Sequence, residues 1–230
     1  MHHLKPILWV LVSLALVCVS ATAAVTAFNS TPVTFRVPAS ADTYLSASAP
    51  SQSFGSAATL WVSQSSSGGA KWSLLRFDLF GKLRPGDLVV NAKILLTTAA
   101  VQGDSWPAAL RSGRATTGWS ESNATWANAP MLVFDTSTTV VFSQPPGVGS
   151  QVSVDVTKQI HRWHSYGGPS NYGTVLVMDP AVSNAGVGFA SRESTSATGP
   201  ILEVSYKPNP HGIYGYAIEP MGAVPVLRPW

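Results

Sequence analysis

Short runs in which apolar and polar residues alternate, each bounded by turn-forming residues, recur along most of this chain. Alternation with period two sends successive side chains to opposite faces of an extended strand, so such a run specifies β-structure with one buried face. Val33-Thr34-Phe35-Arg36-Val37 opens the series. Further runs lie at 42–47, 60–62, 74–79, 140–142, 152–156, 174–178, 186–190 and 201–206, and 88–97 is the longest apolar one. Arg84-Pro85-Gly86-Asp87, the glycine-containing tip at 66–69 and Pro145-Pro146-Gly147 separate them. About ten short strands at this spacing predict an all-β fold, a two-sheet antiparallel β-sandwich of jelly-roll-like type.

One helix interrupts the pattern. Val156, Ile160 and Trp163 share a face at helical spacing, which predicts a short helix from 157 to about 165. Asp155 or Thr157 caps its start and Gly167-Gly168 stops it. Hydrophobic residues make up 45% of the chain and charged residues only 11%. That balance excludes a helical bundle, whose outer faces need far more charge, and it excludes disorder. The net charge is +3 and no stretch gathers Lys and Arg together, so nucleic acid is not an expected partner.

Residues 7–19 form an almost unbroken apolar run, preceded by Lys5 and followed by Ala21-Thr22-Ala23. This order of weak positive region, apolar core and small-residue cleavage site predicts a secretory signal peptide over 1–23 and an extracellular protein. An uncleaved anchor helix is the other reading of the same run. No later segment is apolar enough to span a membrane, so none is expected in the mature chain. The single cysteine, Cys18, lies inside this run, which removes disulfide scaffolds and cysteine-rich zinc sites from consideration. Residues 24–34 read as a linker. Residues 207–230 read as a Pro-rich tail whose Tyr214, Tyr216 and Trp230 could dock on a surface-protein partner.

Seven segments stand in a telling order. They are Ala41-Asp42-Thr43-Tyr44-Leu45 with Phe54-Gly55; Ser73-Leu74-Leu75-Arg76-Phe77-Asp78-Leu79; Leu83-Arg84-Pro85-Gly86 before the strand that follows; the stretch from Trp119-Ser120-Glu121 through Ala124-Thr125-Trp126 to Asn128-Ala129-Pro130; Val154-Asp155-Val156-Thr157 with Trp163; Phe189-Ala190-Ser191-Arg192-Glu193; and Pro200-Ile201-Leu202-Glu203-Val204-Ser205-Tyr206. Together, over 35–206, they resemble the DNRLRE domain, also classed as carbohydrate-binding module family 96. The resemblance implies a secreted, non-catalytic β-sandwich, usually attached to polysaccharide-degrading enzymes or surface proteins, with some members binding acidic polysaccharides such as alginate. This chain carries no catalytic domain beside it, so a role in targeting an enzyme is not expected.

The residues themselves agree with a non-catalytic reading. There is no His-Glu-x-x-His, Gly-x-Ser-x-Gly or phosphate-cradling loop. Glu121 and Asp104 form only one of many carboxylate pairs that could be named. His161 and His164 lie on one helix side but lack further ligands in the local sequence, and a solvated helix edge explains them. A structural calcium ion is compatible with a jelly roll, although no calcium-loop motif assigns ligands to it and the metal ligands stay unknown.

Sugar rings present flat C–H faces that stack on aromatic side chains, while their hydroxyls and carboxylates take polar partners. Trp61 is the leading candidate, because Leu60 and Val62 take the inward parity and leave it facing out. Trp72, Tyr44, Arg36 and Lys71 complete the candidate set, the two cations suiting a uronate carboxylate. Burial under a loop or in a second small core is the competing place for Trp61 and Trp72. Trp119, Trp126 and Trp163 read as structural. Arg76, Asp78, Asp155, Arg192 and Glu193 fall in the family-like segments and are expected to fix the sheets, Arg76 pairing with Glu193 or Asp78. The expected function is polysaccharide binding. The competing functions are a structural or adhesive cell-surface or matrix protein and, third, a small lyase or hydrolase.

Overall fold

The computed structural model describes residues 31–65, 68–165, 171–179 and 184–209. The signal segment, residues 24–30 of the linker, Gly167-Gly168 and the tail beyond Asn209 lie outside them. The alternating runs become eleven strands among the described residues: β1 (Val33–Ser46), β2 (Thr59–Ser65), β3 (Lys71–Phe77), β4 (Leu88–Gly103), β5 (Ala108–Ala115), β6 (Leu132–Val133), β7 (Thr139–Phe142), β8 (Gln151–Asp155), β9 (Thr174–Met178), β10 (Asn184–Ala190) and β11 (Ile201–Lys207). The helix α1 (Thr157–Ser165) lies between β8 and β9, and the Asp155 carboxylate accepts the Thr157 N–H at 2.8 Å. No helix among the described residues is long and apolar enough to cross a membrane.

All strand pairs are antiparallel and the fold is a β-sandwich. Two long strands serve both layers. The first half of β1 pairs with β11, and its second half pairs with β3. The first half of β4 pairs with β11 and β8, and its second half with β10. Each crossing carries a bulge, at Ser40 in β1 and at Ala99 in β4, which bends the strand and increases its twist. Because β2 reaches both β10 and β3, the order β1–β11–β4–β10–β2–β3 closes on itself. Closure satisfies backbone groups that an open sheet would leave at its edges.

The main core fills the space between the layers, with Phe77, Ile94, Leu96, Leu110, Val187, Phe189, Leu202 and Val204 buried against one another. Trp163 and Ile160 bring the apolar face of α1 into it. Gln159 on the same helix is fully buried and bonded, accepting from Thr174 Oγ1 at 2.9 Å and donating to Ser112 Oγ at 3.4 Å. A second, smaller core lies on the other side of β1, β3 and β9. Leu45, Leu74, Val175 and Val177 are covered there by Trp119, Trp126 and Ala124 from the long connection after β5.

Strand β5 does not follow from alternation, since Arg111-Ser112-Gly113-Arg114 interrupts its apolar pattern. It pairs with β9 and β7 all the same. Its Arg114, with a side chain only 11% exposed, makes a bidentate pair with Asp135 at 2.9 and 3.0 Å. The Arg114 hydrogen bond, followed by the charges of Arg114 and Arg162, holds the Asp135 carboxyl below the ordinary carboxylate value. A carboxylate lowered by folding adds stability above its unfolded value of ~3.9, and that stability disappears as the pH falls through the depressed value. Asp135→Ala should therefore cost about 1–2 kcal/mol near neutrality, less than stranding a fully buried charge because Asp135 is itself 34% exposed. Urea midpoints of the two proteins should differ at about pH 6 and converge towards about pH 3.

Candidate functional site

The bulge at Ala99 reverses which parity of β4 faces the core, because a one-residue slip turns every later side chain over. Ahead of it Ala92, Ile94 and Leu96 are buried in the main core. Beyond it Ala100 pairs with Gly188, and Gln102 with Gly186. On the other side of β10, Gly188 pairs with Trp61 and Gly186 with Ser63, and Ser63 pairs in turn with Lys71. The register thus lays two rows across the outer face, Ala100–Gly188–Trp61 and Gln102–Gly186–Ser63–Lys71. Leu60 and Val62, of opposite parity to Trp61, are buried in the main core.

Both central positions are glycine, and neighbouring side chains lean over them. A Cβ on Gly188 would stand 2.7 Å from Thr59 Cγ2 and 3.4 Å from the Trp61 ring. One on Gly186 would stand 2.7 Å from both the Gln102 and the Ser63 side chains. The Lys71 ammonium lies over the Trp61 ring, 5.2 Å from its centroid. Beside this platform opens a polar cleft of about 310 Å3, lined by Ser63, Ser65, Lys71, Gln102, Asn184 and the glycines of the β2–β3 tip. Ser63 Oγ is buried at its floor without a hydrogen-bond partner. Asn184 is held in place by donating to Asp104 at 2.9 Å. An aromatic face beside a cleft that presents a cation and amides offers what a sugar's C–H face and polar rim require.

The structure brings Trp61 and Lys71 together and places the other three expected ligands elsewhere. Arg36 binds Glu203 at 2.6 Å on the β1–β11–β4 sheet, and Lys93 reaches the same carboxylate at 3.0 Å. The Lys93 hydrogen bond first, then that of Arg36, holds the Glu203 carboxyl below its ordinary value. Tyr44 stacks on Phe54 with centroids 4.2 Å apart, and burial raises its hydroxyl pKa. Trp72 packs on Trp126 at 4.5 Å, in the second core. Gln102, Ser63 and the two glycines were not singled out by sequence, although Ala185-Gly186-Val187-Gly188-Phe189 strips one strand face of side chains.

The ion pair expected of Arg76 with Glu193 or Asp78 is replaced by other contacts. Arg76 lies over the Trp119 ring at 5.4 Å and donates to the Trp119 carbonyl at 3.3 Å, because its position on β3 faces the second core. Asp78 accepts the Phe80 N–H at 2.9 Å instead. Glu193 pairs with its neighbour Arg192, whose guanidinium also bonds both Glu121 oxygens, at 3.0 and 3.3 Å, and the Ser40 carbonyl at 3.1 Å. Glu121 accepts the Asp42 N–H at 2.7 Å, and Asp42 accepts the Arg192 N–H at 2.9 Å. Asp42, 1% exposed, is pushed up to about 7, mainly by burial, then by the charge of Glu193 and a hydrogen bond with its carboxyl, and last by the charge of Glu121. Glu121 is thereby locked into this cluster, while Asp104 serves Asn184. Among the described residues, Asp42, Glu121 and Glu193 are the one group of three or more side chains placed to share a metal ion. His164 instead sits 3.0 Å from the Asp87 carbonyl.

A larger cavity of about 980 Å3 lies between the turn at 84–87, Phe80 and Trp163. Its exposed surface is mainly apolar, from Phe77, Leu79, Phe80, Leu83 and Trp163, although Arg76, Asp78 and Asp87 also line it. The polar cleft beside Trp61 is the better match to a hydroxylated ligand.

In comparison with known families, the model for carbohydrate-binding module family 96 matches residues 33–206. No curated protein matches the sequence.

The close approach over β10 has a measurable cost. Gly186→Ala should destabilise the domain by about 1–3 kcal/mol through overpacking against Gln102 and Ser63. Gly147→Ala, where nothing lies within 4 Å, should stay within about 0.5 kcal/mol of the parent in the same urea titration.

Proposed function

Because the chain belongs to carbohydrate-binding module family 96, we propose that it binds an acidic polysaccharide, without catalysis, on the outer face built by β4, β10, β2 and β3. The observation that carries this reading is the juxtaposition of Trp61 and Lys71 beside a polar cleft. The indole supplies the stacking surface for a sugar ring. The ammonium supplies a charge-assisted hydrogen bond to a uronate or sulfate group, roughly twice as strong as a neutral one. Gln102 and Asn184 supply partners for ring hydroxyls. The family is one of non-catalytic binding modules, and Glu121, the carboxylate nearest to a catalytic reading, is committed to Arg192.

The order of apolar run and Ala21-Thr22-Ala23 supports secretion, which is where a polysaccharide ligand would be met. A structural or adhesive role through the tail after Lys207 is the reading that replaces this one if no polymer is retained.

The test is retention of the purified chain on insoluble and charged polysaccharides, followed by affinity electrophoresis on whichever polymer retains it. Trp61→Ala should weaken binding at least about tenfold, equivalent to ~1.4 kcal/mol. Lys71→Met should weaken binding to the acidic polymer and flatten its dependence on salt, while binding to a neutral polymer is retained or strengthened because the Trp61 ring is freed of the ammonium. Trp72→Phe, altered in the second core, should bind as the parent does. Equal retention of the parent and Trp61→Ala would remove the platform from consideration.

A further inference from the structure

Asp42, Glu121 and Glu193 come from three segments far apart in sequence: the second half of β1, the long connection after β5, and the turn after β10. One carboxylate oxygen from each of the three lies within 4.8 Å of the other two. Two carboxylate oxygens of the cluster, Asp42 Oδ1 and Glu193 Oε2, are buried, and no N–H or hydroxyl group donates to either. Asp42 itself is 1% exposed. A buried carboxylate oxygen with no donor is costly, because water no longer solvates it and nothing has replaced the water. The other oxygens of the cluster are satisfied by Arg192 and by backbone N–H groups. Arg192 offsets only one of three negative charges, so the ionised cluster keeps two.

We propose that Asp42, Glu121 and Glu193 bind a divalent cation, calcium in preference to magnesium, with Asp42 Oδ1 and Glu193 Oε2 as its principal protein ligands. The donor set is all carboxylate oxygen, which suits a hard cation rather than zinc. The oxygen separations allow a central ion at the ~2.3–2.6 Å that calcium takes. Calcium tolerates the irregular ligand directions set by three unrelated segments, whereas magnesium demands a near-ideal octahedron. Two positive charges match the two that Arg192 leaves uncompensated, whereas a proton would match one. The ion would pin the loop that covers the second core to β1 and to the β10–β11 turn. The residues are separate from the Trp61 platform, so this inference and the polysaccharide reading can fail independently.

The experiment is thermal unfolding of the full chain at about pH 8, where carboxylates are ionised, first in EDTA and then with calcium or magnesium chloride. Calcium at about a hundred times its dissociation constant should raise the midpoint by about 5–10 °C, and magnesium should raise it less. Calorimetric titration should show a single calcium site. Asp42→Asn and Glu193→Gln should each abolish the calcium-dependent rise. Glu193 is partly exposed, so its isosteric variant keeps the test open if Asp42→Asn does not fold. An identical midpoint in EDTA and in calcium overturns the proposal, as does a calcium response that survives in Glu193→Gln. A chain that ignores calcium but gains stability as the pH falls from about 8 to about 5 would instead hold a proton between Asp42 and Glu193, and that outcome also overturns it.

Discussion

A hydrogen-bonded strand cannot pass from one layer of a sandwich into the other without a local defect, and β1 and β4 each carry one. The extra residue does more than bend the strand. It reverses the parity of everything that follows. In β4 this turns Ala100 and Gln102 outward, onto the face that Trp61 occupies. In β1 it sets Asp42 opposite the core residue Leu75 and sends Leu45 into the second core. Both the polar cleft and the acidic cluster follow from these two defects. Neither would exist on straight strands with the same composition.

The same defects explain what the sequence shows and what it conceals. Strands with constant parity, such as β8 and β11, are plain in their alternation, and so is the helix with Ile160 and Trp163 on one face. The long strands read as shorter pieces, because the eye loses the period where a bulge shifts it. Strand β5 is hidden for another reason. Its polar residues are satisfied by partners distant in sequence: Arg114 by Asp135, Ser112 by Thr138, while the Phe134 ring occupies the space over Gly113. Local propensity sees only the interruption. The pairing that justifies it is a tertiary fact.

The tryptophans show the same division. Parity correctly turns Trp61 away from Leu60 and Val62, but parity alone cannot tell an open face from one that a loop covers. Trp72 and Trp126 meet because the connection after β5 folds back over β3. Trp119 anchors that connection by donating its indole N–H to the Tyr172 carbonyl at 2.6 Å. Trp61 instead pairs with Gly188 on β10 and has the Lys71 ammonium over its ring. Among the charges, Arg192 was legible as part of a motif, yet its three-way contact with Ser40, Glu121 and Glu193 depends on loops whose approach no spacing announces.

The position of Lys71 over Trp61 gives the aromatic face an occupant before any ligand arrives. Such a contact is worth about 0.5–1 kcal/mol at an exposed site. A sugar that stacks on the ring must evict the ammonium. An uncharged sugar offers the evicted cation nothing, so the loss is deducted from its stacking energy. A sugar with a carboxylate or sulfate at the cleft side receives the cation, and the eviction becomes an exchange of one partner for a stronger one. The lysine thus works as a toll on neutral chains as well as an attraction for anionic ones, and discrimination between them widens from both ends.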